Sequence, residues 1–125
     1  MIFKIRTSKK TMDIFGEIGS AEGLQPYILS KLAISMSLKM KDALAERDFH
    51  TDVNGLELNR QTITGDFDTM YKCLIEMYEK RHLAEDEYFQ TYVKAHLDRG
   101  ARALYSEYKY QNNFLTALLC DKESI

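Results

Sequence analysis

Four basic side chains stand within the first ten residues: Lys4, Arg6, Lys9 and Lys10. Fixed cationic charge at that density can neutralise phosphates and release their condensed counterions. A merely solvated surface would use the same residues, so the wider charge distribution has to decide. Residues 1–41 hold seven basic and three acidic side chains, a formal +4; residues 42–125 hold ten and sixteen, a formal −6. The whole-chain value of −2 therefore hides a basic third on an acidic body. Such asymmetry points to an anionic partner for one face. Lys31 extends the basic set, and Arg60 adds a cation in the middle of the chain.

The other reactive residue types are scattered. His96 falls on an apolar helical stripe, while Asp98 and Arg99 fall off it. A hydrogen-bonded core histidine is the expectation; a catalytic base is the alternative, with no nucleophile in view. Glu57, Asp66 and Asp68 could gather round a hard cation, but Asp66 also sits where a helix needs a cap. Cys73 and Cys120 lack framework spacing and a histidine on the same face, so both read as small buried hydrophobes. Tyr105, Tyr108 and Tyr110 could stack on exposed bases, though core or subunit packing is the simpler use. The chain has no GxxxxGK[ST] loop, GxGxxG, HExxH or CxxC. No catalytic residue, metal site or cofactor is expected.

The elements that would carry these residues follow from periodicity. Ile2–Thr7 alternates, with Phe3 and Ile5 on one side and Lys4 and Arg6 on the other, as in a short strand. Ser8 can cap a helix carrying Met12, Phe15 and Ile18. Gly23 suits a left-handed C-cap and Pro26 the first turn of the next helix. Residues 42–66 are irregular, with a second short strand possible around Leu56 and Leu58. Asp66 opens a third helix with an apolar set of Phe67, Met70, Tyr71, Leu74, Ile75 and Tyr78. A fourth begins near Ala84 and runs through Phe89, Tyr92, Val93, Leu97 and Leu104. Gly100 within it suggests close helix–helix approach. Asn113 can cap a short final helix.

These readings describe a mainly α protein, a single helical domain over 1–125. A strand–helix–helix first third precedes two long amphipathic helices and a short C-terminal helix. One proline and six glycines, where average usage gives about 15 together, disfavour a many-turned β architecture. No apolar run approaches the ~20 residues of a membrane span. A start charged within four residues resembles no signal peptide, and the isolated cysteines suit a reducing compartment. A cytoplasmic, membrane-free location is expected.

The first 40 residues resemble the strand–helix–helix unit of ribbon–helix–helix proteins, which pair N-terminal strands across subunits and insert the ribbon into DNA. A more specific resemblance covers most of the chain. Arg6-Thr-Ser-Lys-Lys followed by the run from Gly23 to Leu38, the segment Gly55–Asp66, and Lys94–Tyr108 are similar in order and spacing to the DndE family. That family serves DNA phosphorothioation, in which sulfur replaces a non-bridging oxygen of the DNA backbone. The resemblance implies a cofactor-free, oligomeric subunit that binds duplex or nicked DNA and works beside other sulfur-modification proteins. Lys4, Arg6, Lys9 and Lys10, then Lys31 and Arg60, are the expected DNA contacts. The alternatives are a ribbon–helix–helix repressor, a DNA-nicking enzyme of the same system, and an assembly subunit whose basic patch meets an acidic protein.

Overall fold

Helix packing dominates the computed structural model, which describes residues 3–110. A strand β1 (Lys4–Arg6) leads into α1 (Lys9–Glu22) and α2 (Pro26–Lys39). A 3-10 turn (Glu46–Phe49) and a loop follow, then β2 (Glu57–Asn59), a one-turn helix α3 (Arg60–Ile63) and α4 (Asp68–Glu79). A π-helical stretch (Glu87–Val93) runs directly into the long α5 (Lys94–Tyr110). The expected helix from Asn113 and Cys120 lie outside the described residues.

Local chemistry explains the boundaries. The Ser8 side chain accepts the Thr11 N–H at the start of α1, satisfying one of the donors a helix leaves free. Gly23, at φ 71°, closes α1 by donating its N–H to the Gly19 carbonyl at 2.8 Å. Pro26 opens α2. The third helix starts differently from the expectation. Its first turn is preceded by a 3-10 turn over Gly65–Phe67, and no side chain caps it. Asp66 is therefore not its cap.

The two strands form an antiparallel pair with Lys4 opposite Asn59, Ile5 opposite Leu58 and Arg6 opposite Glu57. The ladder continues through Thr7 N–H to Leu56 O and Gly55 N–H to Thr7 O. Gly55 is required there, since a Cβ would lie 2.1 Å from the Ser8 carbonyl oxygen. β1 thus pairs within its own chain, where a ribbon–helix–helix dimer would pair it across subunits.

α5 is the central element. Every residue from Ala95 to Ala101 is buried, so the helix is enclosed on all sides there rather than along one stripe. It packs most extensively on α2. At Gly100 the contact is so close that a Cβ would fall 1.6 Å from the Ala33 carbonyl oxygen. Ile14, Phe15, Ile18, Leu29, Ile34, Ile75, Phe89, Leu97 and Leu104 fill the surrounding core. α4 departs from expectation more strongly. Of the six apolar positions expected for this helix only Ile75 is buried; Phe67, Met70 and Leu74 are exposed, as is Met77. Cys73 on the same helix is exposed too, not a core residue. Among the described residues no helix is long and apolar enough to cross a membrane.

Gly100→Val should destabilise the fold by about 3 kcal/mol or more, because backbone rather than a side chain blocks the new atoms. Gly16, whose Cβ position is open, should gain about 0.5–1 kcal/mol as alanine. Urea unfolding of both variants measures the contrast.

Candidate functional site

β1 shows the alternation its sequence carries: Ile5 is buried while Lys4 and Arg6 are exposed. Phe3 does not follow Ile5 inward and is exposed. Beside β1 lies a cleft of about 490 Å³, lined by Lys4, Ile5, Arg6, Asp48, Phe49, Thr51, Val53, Gln90, Thr91, Lys94 and Ala95. Its walls are β1, the end of the 3-10 turn with the loop after it, and the π-helical stretch with the start of α5. π-Helical turns recur at functional sites.

The cleft's charges are not equally available. Lys94 donates to Asp98 at 2.7 Å and to the Asp52 carbonyl at 2.9 Å. Asp48 accepts from Arg102 at 2.9 Å and from the Ala45 N–H at 2.8 Å. Among the described residues Lys4 and Arg6 face only Glu57, at 3.6 and 3.7 Å, with all three side chains about half exposed. Exposed pairs of that length contribute about 0–1 kcal/mol, so an incoming anion can displace Glu57.

The remaining expected contacts are distributed differently. Lys9 and Lys10 are exposed at the start of α1; Lys9 pairs with Asp13 at 3.1 Å, and Lys10 borders a small separate hollow with Glu17 and Tyr105. Lys31 lies along α2 with its ammonium 5.6 Å from the Tyr27 ring centre. Arg60 is corrected. It is only 8% exposed, its guanidinium grips Asp68 and Glu85, and it stacks near Tyr88 and Phe89. The hydrogen bond from Arg60 to Asp68 holds the guanidinium protonated, above its ordinary range. Burial alone would raise the Asp68 carboxyl; hydrogen bonds from Arg60, Thr64 and Tyr88 bring it below the usual value. Arg60 thus staples α3 to α4. Asp68 is thereby committed, and among the described residues no group of three His, Cys, Asp or Glu side chains is poised for a metal.

Sequence reasoning passed over a buried polar network. Asp98, fully buried, accepts from the Ser8 N–H and the Thr11, Thr51 and Lys94 side chains. Its neighbour Arg99 donates to the Ser37 hydroxyl and carbonyl, the Asp42 carbonyl and the Tyr78 hydroxyl. Ser37 in turn meets His96 Nδ1 at 2.8 Å, and His96 Nε2 meets Glu79 at 3.0 Å. The neutral His96 ring donates Nε2–H to the Glu79 carboxylate, which can only accept, and so Nδ1 accepts the Ser37 hydroxyl proton. Ser37, His96 and Glu79 thus stand in the order of a nucleophile, base and carboxylate. Ser37 and His96 are fully buried, however, so no substrate reaches them and the arrangement is structural. His96 is the hydrogen-bonded core histidine its stripe position suggested. Tyr105 and Tyr108 stack on one another, half-buried against the core.

Comparison with known proteins gives these features a family. The model of the family described as "DNA sulphur modification protein DndE" matches residues 4–112. The chain belongs to the DndE family. A crystal structure of DndE from Escherichia coli B7A, described as involved in DNA phosphorothioation modification, shares the fold at a TM-score of 0.67. It is 20% identical to this DndE-family chain, with 83% of this chain and 96% of that one aligned. A crystal structure of a DndE glycine-to-lysine double mutant, also described as involved in DNA phosphorothioation, gives a TM-score of 0.64 at 18% identity. It covers 82% of this chain and 97% of the other. No curated protein matches. The chain is thus a DndE-family member of the DNA phosphorothioation system.

The buried histidine gives this DndE-family fold a pH dependence. Burial, the largest effect, and the nearby Arg99 lower His96 from 6.5 to about 4. The unfolded chain therefore binds a proton that the folded chain refuses between those values. Stability should fall as pH drops from about 6.5 to about 4, by about 2–3 kcal/mol from this residue. Burial of Glu79 raises its carboxyl and so acts in the opposite sense. Urea unfolding at pH 7 and 4.5 should show a smaller loss for His96→Gln, which keeps Glu79, than for the wild type.

Proposed function

We propose that this chain is a DNA-binding subunit of the phosphorothioation system, holding duplex or nicked DNA by its backbone. The observation that carries the reading is the placing of Lys4 and Arg6 together on the exposed face of β1, at the mouth of a cleft, opposed among the described residues only by Glu57. Lys9 and Lys10 continue the cationic surface onto α1. Contacts of this kind fix position on the duplex and carry little sequence information. The ligand is DNA because the family acts on DNA; the electrostatics alone would suit any polyanion. The subunit works beside the other sulfur-modification proteins, which supply the sulfur and nucleotide chemistry.

The subunit acts as a homo-oligomer. Phe67, Met70, Leu74 and Met77 support this, since they leave an apolar stripe on α4 and the turn before it open to solvent. Monomeric proteins rarely leave such a stripe uncovered. Each copy would then add its own basic strand to a shared DNA-binding surface.

Equilibrium binding to a random-sequence duplex across a salt series tests the reading. Affinity should fall steeply with salt and vary little between sequences. The double variant Lys4→Glu/Arg6→Glu should bind more than about tenfold more weakly, with a salt slope about two units shallower. An unchanged affinity in the folded variant would refute the assignment of this face. Strong preference for one palindrome would favour a repressor.

A further inference from the structure

The cleft beside β1 is larger than a phosphate contact needs. Its volume of about 490 Å³ lies in the range of small-ligand sites, about 300–1,000 Å³. Its lining is divided by chemistry. Lys4 and Arg6 are the cations of the lining whose only partner among the described residues is the weakly held Glu57. Phe49 and Val53 form an apolar wall with Ile5. The Phe49 ring is held edge-on to Tyr92, at 5.3 Å between centres and 78° between planes, so its position is fixed. Gln90 and Thr91 face the same space from the π-helical stretch. Both are exposed, and neither side chain bonds another described residue. An amide and a hydroxyl offer both donors and acceptors.

We propose that this cleft takes one unpaired nucleotide of a DNA strand, its phosphate on Lys4 and Arg6 and its base against Phe49 and Val53. The inference rests on the DNA-binding reading above and adds to it the part of DNA that enters the protein. Cations, an apolar wall and hydrogen-bonding side chains are the three kinds of contact that a nucleotide's phosphate, base face and base edge call for. A base inside a duplex is covered on both faces and cannot reach a concave site; an extruded base can. Stacking on an aromatic side chain is tolerant of base identity. The Gln90 amide supplies what preference there is.

The test uses the full chain and two duplexes of equal length, one fully paired and one carrying a single bulged 2-aminopurine. The bulged duplex should bind about tenfold more tightly, the scale of one base stacked on an aromatic ring, and its fluorescence should change on binding. Thr91→Trp fills the cleft from an exposed position and should abolish both the preference and the fluorescence change. Gln90→Ala, a milder change at an exposed site, should reduce the bulged-duplex affinity severalfold. Equal affinity for the two duplexes with unchanged fluorescence would overturn the nucleotide site and leave DNA binding intact. Failure to bind either duplex would overturn both readings. A preference that survives both substitutions would place the nucleotide elsewhere and refute the cleft. Binding of free deoxyadenosine monophosphate without any preference for the bulge would refute a DNA strand as its source.

Discussion

Two neighbouring side chains of α5 hold opposite poles of the helical pair beside it. α1 begins Lys9-Lys10 and has no acidic residue in its first turn, so its positive pole is crowded by positive charge. Asp98 supplies the missing carboxylate from another element, bonding the Ser8 N–H and the Thr11 hydroxyl. α2 ends with its carbonyls facing Arg99, which bonds the Ser37 carbonyl at 2.8 Å. A buried charge is tolerated only when paired and fully hydrogen-bonded. Both conditions hold: among the described residues no buried side-chain nitrogen or oxygen lacks a partner. Neither helix can slide along α5 without stranding a buried charge, and Gly100 brings the backbones into contact at the next residue.

The same constraint positions the basic strand. Ser8 follows β1 by two residues, so fixing its N–H on Asp98 fixes where β1 ends. Asp98 also takes the Thr51 hydroxyl, and Lys94 bridges it to the Asp52 carbonyl. Asp52 accepts the backbone N–H groups of Asn54 and Lys9, which hold its carboxyl below the usual range. One buried carboxylate therefore orders the strand, the loop and the start of α5, which are the walls of the cleft. Lys4 and Arg6 take no part in that network. They are presented by it and stay available for an external anion.

Features governed by neighbouring residues were legible in the sequence. Ser8, Gly23 and Pro26 end or begin helices for reasons contained within a few positions, and the alternation of residues 4–6 separates Lys4 and Arg6 from Ile5. Gly100 was legible because a glycine on an apolar stripe has few other uses. What failed depended on distant partners. Asp98 and Arg99 lie off the stripe, and a helical wheel sends charged off-stripe residues to solvent. They are inside because α5 is surrounded at that point. Arg60 looked like one more cation, and only Asp68 and Glu85 across the turn reveal it as a staple. The apolar set on α4 implied burial, but periodicity says which residues share a face, not that the face is covered. The cleft was hidden because its walls come from residues 4–6, 48–53 and 90–95, which no local pattern connects.

Amide hydrogen exchange with and without a saturating duplex tests the central claim most directly. DNA held on the basic strand and cleft should slow exchange in residues 4–10, 48–54 and 88–95, and leave the exposed face of α4 as it was. Protection confined to α4, with none around β1, would contradict the account.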